Sequence, residues 1–468
     1  MALLSTVRQS MSSGSTTCKL DGKFWVVDGD PHVKHRLVTC FPLAERGKDG
    51  KIRVPATGDQ ANELMWFRQR YPMAVDPEGE MRRLCAQFRT RQSKAGLILS
   101  KDFSPKPVEF ASGLAPRWYQ SQAAELWKSV GGVLLADGLG TGKTISTLAA
   151  IADPDLRPCV IVLPSNLDRQ WVSKTREFLP DLTTHVIKSM DPYDLEVMAQ
   201  CPVCEQWLDA AYQQRCPKCR FKVPERRQIA DVLICSYNKL EEWPDYLASV
   251  CKSVVFEEAH SLRRDESNKW KAASVLAAQV EYRLGLTATP LFNLGGEIWN
   301  IMECITPGFL GPKDAFKRNF CGYSTNGKEP PLNDPEAVGA YLRESNVMLR
   351  RTPEDVGIKK GQCNVIPYEV DASADVFNKH AGRATELARL IMNDAKLERG
   401  KAMQIAGEFD RELRLATGLA KAPHVALFLE MLLEQGIPTL VFGWHHAVHD
   451  VICEKLSKYG PVKYTGNE

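Results

Sequence analysis

The sequence predicts an α/β protein built around a doubly wound parallel sheet, and three observations carry that expectation. Between Phe110 and Arg283 five continuous apolar runs, "GGVLLA", "PCVIVLP", "ADVLICS", "SVVFEEA" and "YRLGLT", alternate with helical stretches, the pattern of strands buried on both faces. The first run passes into a glycine-rich turn, "DGLGTGKT", that opens a helix. The chain has 468 residues, 44% hydrophobic and 25% charged, which suits two or three globular cores and excludes a disordered or fibrous protein.

Taken in order, the N-terminal arm "MALLSTVRQSMSSGSTTCKL" is rich in Ser, Thr and Gly and lacks the apolar core, about 7 to 15 residues, of a secretory signal. Residues 1–109 read as this arm and a small α+β module, with "KFWVV" and "GLILS" as short apolar runs and "DQANELMWFRQRYPM" as a helix. Prolines 105, 107 and 116 favour an extended connector, so a boundary is expected near Phe110. Residues 110–295 hold the predicted parallel sheet, and 296–371 read as a helical linker or protrusion. Residues 372–468 begin with an amphipathic helical run, Ala372 to Leu415. Then "PTLVFGWHHAVHDVICEKLSKYGPVKYTG" starts strand, helix, strand, so a second α/β domain appears begun and incomplete.

No run of about 18 apolar residues occurs, and no membrane span is expected. The net charge of +3 is compatible with a nucleic-acid partner without demanding one. Of 14 cysteines, ten are scattered and four cluster, which fits a reducing compartment better than a disulfide framework.

Two motifs carry chemistry. In "GGVLLADGLGTGKTIST" Gly138, Gly140 and Gly142 let the backbone approach a phosphate and aim N–H groups at it, at a helix N-terminus that favours anions. Lys143 would reach the β and γ phosphates of ATP, and the Thr144 hydroxyl would hold Mg²⁺. Asp137 opens this loop and Thr141 completes it. In "CPVCEQWLDAAYQQRCPKCRFK", within an insertion of about 198–225, Cys201, Cys204, Cys216 and Cys219 form two C-x-x-C knuckles, the spacing of a closed structural Zn²⁺ site. A rubredoxin-type iron centre has the same spacing, and a redox pair or unrelated cysteines are the other readings. The basic tail "KCRFKVPERRQ" suits either phosphate contacts or a solvated face.

From about Leu114 onward the chain resembles the Swi/Snf-type DNA translocases of helicase superfamily two, the DEAD/DEAH-like helicases. Their loop reads Asp-Glu-x-Gly-x-Gly-Lys-Thr; here Gly138 replaces the glutamate. Further segments match in order. "LAPRWYQSQAAELW" resembles the adenine-capping segment, with Gln120 as the adenine contact beside Tyr119. "VIVLPSNLDRQWVSKTREF" resembles a strand and loop that touch the DNA backbone, ending in Trp171 and Glu177. "LICSYNKL" resembles the next DNA-facing element, with Ser236 and Tyr237. "LGLTATP" resembles the coupling motif, with Thr287, Ala288 and Thr289, and "VMLRRTPEDVG" the arginine pair, Arg350 and Arg351. The direct run of "PLFNLGGEIWNIMECITPGFLG" into a short helical segment is nearest to the compact fork-remodelling, annealing-helicase branch, which acts in DNA repair and replication.

The resemblance implies a RecA-like helicase ATP-binding domain, an incomplete second RecA-like domain, ATP and Mg²⁺ as cofactors, double-stranded or branched DNA as partner, and ATP hydrolysis. It implies a cytoplasmic protein in a bacterium or virus-infected cell, and a nuclear one in a eukaryote. In "VVFEEAHSLRR" the family's Mg²⁺-holding aspartate is Glu257, followed by Glu258 as the base that polarises water and His260 as the link to the coupling motif. The extra methylene of Glu257 carries its carboxylate outward by more than about 1 Å if the backbone is unmoved. Three readings follow: a tolerated variant with a shifted strand, a slowed motor, or a charged strand end without a role. Because the family closes ATP between two domains, the resemblance also implies a truncated motor, or one whose second half another chain supplies. The reading from a different class is a nucleotide-gated DNA-binding or assembly module. Residues 1–109 read as a packing domain or a DNA-annealing accessory.

Overall fold

The computed structural model describes residues 16–41, 43–111, 113–222, 228–290, 294–322, 329–358, 365–393 and 399–464. The chain forms two compact units, Met1–Lys360 and Gly361–Glu468.

Unit 1 opens with a five-stranded sheet of β1 (Thr17–Asp21), β2 (Phe24–Asp28), β3 (Glu45–Arg46), β4 (Ile52–Pro55) and β5 (Ala74–Asp76), in the order β3-β4-β2-β1-β5. In β2 Trp25 and Val27 alternate inward, as "KFWVV" predicts, and pack on Leu37 of α1 (Pro31–Cys40), Phe67 of α2 (Gly58–Arg70) and Met81 of α3 (Glu78–Ile98). "GLILS" is not a strand: it closes α3. The long run of Arg, Gln, Lys, Ala and Leu before it favours helix, and Ala95 and Ile98 fall one turn apart on a buried face.

The main sheet contains β6 (Gly132–Leu135), β7 (Cys159–Leu163), β8 (Thr184–Val186), β11 (Val232–Ser236), β12 (Ser253–Glu257), β13 (Tyr282–Leu286) and β14 (Met348–Leu349), all parallel, in the order β14-β6-β13-β12-β7-β11-β8. Between β8 and β11 a short hairpin is inserted, β9 (Met198–Gln200) with β10 (Trp207–Asp209). Each of the five expected runs forms a central strand with apolar residues on both faces. Val133 and Leu135 bury under α4 (Trp118–Val130) and α5 (Lys143–Ile151), on the side where Trp171 of α6 (Asp168–Phe178) also packs; Leu134 and Ala136 bury on the opposite side. That opposite face is covered by α8 (Asn268–Gln279) and α9 (Gly295–Ile305), with α7 (Pro244–Val250), α10 (Lys313–Phe320) and α11 (Pro335–Glu344) beside them. The region expected to be helical, 296–371, contains β14 as well as helices, and β14 adds itself to the sheet edge next to β6.

Unit 2 comprises α12 (Ala374–Asn393), α13 (Arg399–Glu434) and α14 (His446–Lys455), with Ala422, Ala426, Leu429, Ile452 and Leu456 as its core. The strands expected around "PTLVFGW" and "PVKY" do not form. Among the described residues neither segment pairs with another strand, and Leu440, Phe442 and Trp444 stand exposed. Met403–Glu434 is long and apolar enough to cross a membrane by length and composition, yet within unit 2 its Ala422, Ala426 and Leu429 bury against α14.

Candidate nucleotide site and metal centre

The phosphate loop spans the end of β6 and the start of α5. Gly140 and Gly142 have φ of +79° and +82°, the left-handed region that glycine enters freely, and Gly142 is the N-cap of α5. A Cβ on Gly142 would lie 2.5 Å from Gln120 Nε2, so a side chain there would push the Gln120 amide off Thr141 O in addition to straining the backbone. Lys143 Nζ donates to the carbonyls of Asp137 (2.9 Å) and Gly138 (3.3 Å), and Thr141 Oγ1 donates to Gly138 O at 2.9 Å. Gln120 and Tyr119 on α4 both brace the loop: Gln120 Nε2 donates to Thr141 O at 2.9 Å, and the Tyr119 hydroxyl to the same oxygen at 2.7 Å. Gln120 Oε1 accepts from the Arg117 N–H at 2.8 Å. Gln120 is thus a loop-bracing residue, and an adenine contact would fall to its remaining N–H and lone pair.

Across the loop stands the end of β12. Glu257 is half-buried, and its Oε2, which is out of contact with solvent, finds no hydrogen-bond partner among the described residues. Burial, with the neighbouring Glu258 carboxylate, raises the Glu257 pKa from 4.5 to about 7, against the pull of the Lys143 ammonium. Burial likewise lowers the Lys143 pKa, while Glu257, Asp137 and Glu258 oppose the shift. Each of the two groups thus feels the other's charge. Glu258 sits in the left-handed region (φ +49°), which turns its side chain away from the strand direction, and its Oε2 lies 3.1 Å from His260 Nδ1. Thr287, 1% exposed at the end of β13, donates its N–H to Leu135 O at 3.2 Å, and its Oγ1 accepts the Thr289 N–H at 3.1 Å. The coupling segment, including Ala288, is thereby tied to the strand that feeds the phosphate loop.

Thr144 opens α5 and Glu257 ends β12, so both belong to the group around the loop. The orphaned carboxylate oxygen of Glu257 is the kind of hard donor that a divalent cation takes.

Two residues matched to a DNA-facing element, Ser236 and Tyr237, are internal, and so is Trp171 at the end of the preceding segment. Trp171 is 2% exposed in the core beneath α6, Ser236 is buried, and Tyr237 is buried with its hydroxyl donating to Glu257 O at 2.9 Å. Each follows or faces a central strand, where covering helices exclude solvent. Tyr237 thus supports the carboxylate strand from behind. Glu177 is exposed and pairs with Lys174 at 2.8 Å. A shallow groove of about 450 Å³ beside α6 was not singled out in the sequence; Arg169, Ser173, Arg176 and Lys188 line it together with Asp168. The spacing of Arg169 and Arg176, two helical turns apart in "DRQWVSKTREF", is its one sequence signal.

The insertion brings its four cysteines together. The Sγ atoms of Cys201, Cys204, Cys216 and Cys219 all lie within 4.8 Å of one another, with Cys201–Cys219 at 3.4 Å and Cys204–Cys216 at 3.5 Å. Zn–S bonds of about 2.3 Å in a tetrahedron place sulfurs about 3.8 Å apart, so the group fits a tetrathiolate metal. The knuckles repeat one geometry. Cys201 N–H donates to Gln206 O (2.9 Å) and Cys216 N–H to Phe221 O (2.8 Å), while Glu205 and Arg220 take φ of +58° and +63°. The hairpin is fastened to the main sheet through His185 of β8, 0% exposed, whose Nδ1 lies 2.6 Å from Asp209 Oδ2 and whose Nε2 lies 2.7 Å from the Tyr193 hydroxyl. Tyr212 stacks on the same imidazole at 5.4 Å.

With fold and site in view, similarity to known proteins can be placed. The TATA-binding protein-associated factor BTAF1 of Arabidopsis thaliana is 23% identical over 58% of this chain and 13% of its own length. The DNA repair and recombination protein RAD26 of Saccharomyces cerevisiae is 25% identical over 48% of this chain and 22% of its own. An uncharacterized ATP-dependent helicase of Mycoplasma pneumoniae is 27% identical over 48% of this chain and 19% of its own. The chain thus spans 13% to 22% of the length of these curated relatives. Among solved structures, the SWI2/SNF2 ATPase core of Sulfolobus solfataricus in complex with dsDNA aligns at a TM-score of 0.42 and 20% identity, over 76% of this chain and 72% of that one. The sequence profile of the SNF2-related domain matches residues 59–403, running from α2 through the phosphate loop, the carboxylate strand and the Arg351 segment, and on that match the chain belongs to the SNF2-related domain family.

Proposed function

We propose that this chain is the nucleotide-binding motor domain of a DNA-dependent ATPase that tracks along duplex or branched DNA and remodels or anneals strands, hydrolysing ATP to ADP and phosphate. The observation that carries the reading is the phosphate loop with its two positive-φ glycines opening α5 at Lys143, together with the half-buried Glu257 at the end of β12, whose Oε2 is unpartnered among the described residues and whose charge Lys143 feels. Lys143 would bind the β and γ phosphates together with the loop N–H groups. Thr144 and Glu257 would hold Mg²⁺, which neutralises phosphate charge when bound. Glu258, turned out of the strand and oriented by His260, would position and deprotonate the attacking water. The Arg169, Arg176 and Lys188 groove offers phosphate contacts for DNA, and the four thiolates would hold structural Zn²⁺. Such a protein works where DNA is, in the nucleus of a eukaryote or the cytoplasm of a bacterium.

The nucleotide-gated module is the second reading, favoured by the raised pKa of Glu257, which leaves a sizeable protonated fraction near neutrality when no cation is bound. Titration with a fluorescent ATP analogue, with and without Mg²⁺, and phosphate release with and without duplex DNA test both. Mg²⁺-dependent binding that Lys143→Ala abolishes is expected. Wild-type protein that binds no nucleotide, or Lys143→Ala that binds as well as wild type, refutes the site. Release stimulated by DNA selects the motor; binding without release selects the gated module.

A further inference from the structure

Asp137 opens the phosphate loop yet cannot meet a ligand, because it is 1% exposed. A buried carboxylate requires a partner, and its partner is 214 residues away in sequence. Arg351 grips Asp137 with Nη2 to Oδ2 at 2.6 Å and Nε to Oδ2 at 3.1 Å, and its own backbone N–H donates to Oδ1 at 2.9 Å. The same guanidinium donates through Nη1 to Tyr119 O (2.9 Å) and Gln122 Oε1 (3.2 Å), and lies 5.3 Å from the centre of the Tyr119 ring. Tyr119 in turn holds Thr141 O in the loop.

The backbone repeats the connection. The N–H groups of Leu134, Ala136 and Gly138 donate in succession to the carbonyls of Val347 (2.8 Å), Leu349 (2.7 Å) and Arg351 (2.8 Å). The β14 ladder therefore does not stop at the strand but continues alongside the loop. At Gly138 a Cβ would meet Pro353 Cδ at 3.0 Å, so this segment also explains why a side chain is poorly accommodated there. The segment is itself braced by α3 of the N-terminal module. Gln92 Nε2 donates to Ser345 O at 3.3 Å and its Oε1 accepts from Asn346 Nδ2 at 2.5 Å, while Gln122, the partner of Arg351, donates to Ile98 O at 2.8 Å.

We infer that Arg351 is a positioning residue for nucleotide binding: through Asp137 and the Gly138 main chain it presets the phosphate loop, and α3 holds the segment that carries it. This deepens the proposed function, since it rests on the loop being a nucleotide site. It gives residues 78–98 a defined part in that site, as a brace for the strand that closes the sheet edge. Lysine cannot replace the fork, because a point charge offers no planar set of donors to span Asp137, Tyr119 O and Gln122 at once.

The test measures the Kd of a fluorescent ATP analogue with Mg²⁺ on the full chain for wild type, Arg351→Gln, Arg351→Lys, Asp137→Asn and the Asp137→Asn/Arg351→Gln double variant, with thermal melting in parallel. Arg351→Gln and Asp137→Asn are each expected to raise the Kd about tenfold or more. Because the two residues act as one unit, the double variant should be no weaker than the worse single one. Arg351→Lys retains a counter-ion for Asp137, so it covers the case in which Arg351→Gln does not fold; it too should weaken binding about tenfold. An Arg351→Lys protein that binds within twofold of wild type overturns the inference, as do single effects that multiply in the double variant. Wild-type protein that binds no nucleotide overturns the proposed site and this inference with it, whereas variants that bind like wild type overturn the inference alone.

Discussion

Glu257 gives the molecule a pH dependence that can be worked out in advance. Its pKa rises from 4.5 to about 7 because burial and the adjacent Glu258 carboxylate disfavour the anion more than Lys143 favours it. Below pH 4.5 the carboxyl is protonated in both folded and unfolded chains and costs nothing. As pH rises, the unfolded chain ionises first while the folded one holds its proton, so stability falls across the window from 4.5 to about 7 and then levels. The gap between those values corresponds to about 3 kcal/mol. Other carboxylates, among them Asp153 and Asp265, have lowered pKa values and gain stability with pH, so the wild-type curve alone is a sum. The informative quantity is a difference. Urea unfolding of Glu257→Gln and wild type, followed by tryptophan fluorescence between pH 4.5 and 8, should show the variant gaining about 3 kcal/mol relative to wild type over that range. A difference that stays flat with pH, or that falls, refutes the picture of a carboxylate held in a desolvated site. Saturating Mg²⁺ and nucleotide should shrink the difference, because a cation beside Glu257 stabilises its anion.

Two further outcomes follow from local geometry. Gly142→Ala meets Gln120 Nε2 at 2.5 Å as well as a φ of +82°, whereas Gly140→Ala meets only its φ of +79° with open space around it. Gly140→Ala should therefore cost about 1 kcal/mol and Gly142→Ala clearly more, with weaker nucleotide binding; equal costs in chemical denaturation would contradict the packing described. Freshly reduced protein should carry about one zinc per chain by elemental analysis, and Cys216→Ser should lose it while retaining nucleotide binding; protein without metal, or a variant that keeps it, would remove the zinc site.

What the sequence revealed and what it hid follow from the range of the interactions involved. The five central strands were legible because both of their faces are buried, which writes a continuous apolar run into the chain. The edge strands β8 and β14 were not, since three and two residues are too few to show a period. The cysteine knuckles and the glycine-lysine-threonine turn are local chemistry, readable at a spacing of a few residues. The grip of Arg351 on Asp137 spans 214 residues, and no spacing rule reaches so far. Ser236 and Tyr237 illustrate the reverse error: their places in a motif suggested a surface, while their position at the end of a central strand buried them. "GLILS" was apolar enough for a strand, but the helix running into it decided its state.

The cysteine hairpin is closed at its base, where Met198 and Gln228 exchange both backbone hydrogen bonds, at 2.9 and 2.8 Å. The metal module is thus a detachable appendage in topological terms: its removal would open no strand of the seven and would interrupt no connection longer than the one from β8 to β11. Detachment would be felt along β8 and the segment after it: His185 would keep the Tyr193 hydroxyl but lose Asp209 and the stacked Tyr212, Val186 O would lose the Tyr212 hydroxyl, and Lys188 would lose the Tyr212 ring. A chain shortened across this junction would uncover His185 to water on the face that Tyr212 now covers, so the hairpin acts as the lid over the edge strand β8 as well as the carrier of the four cysteines.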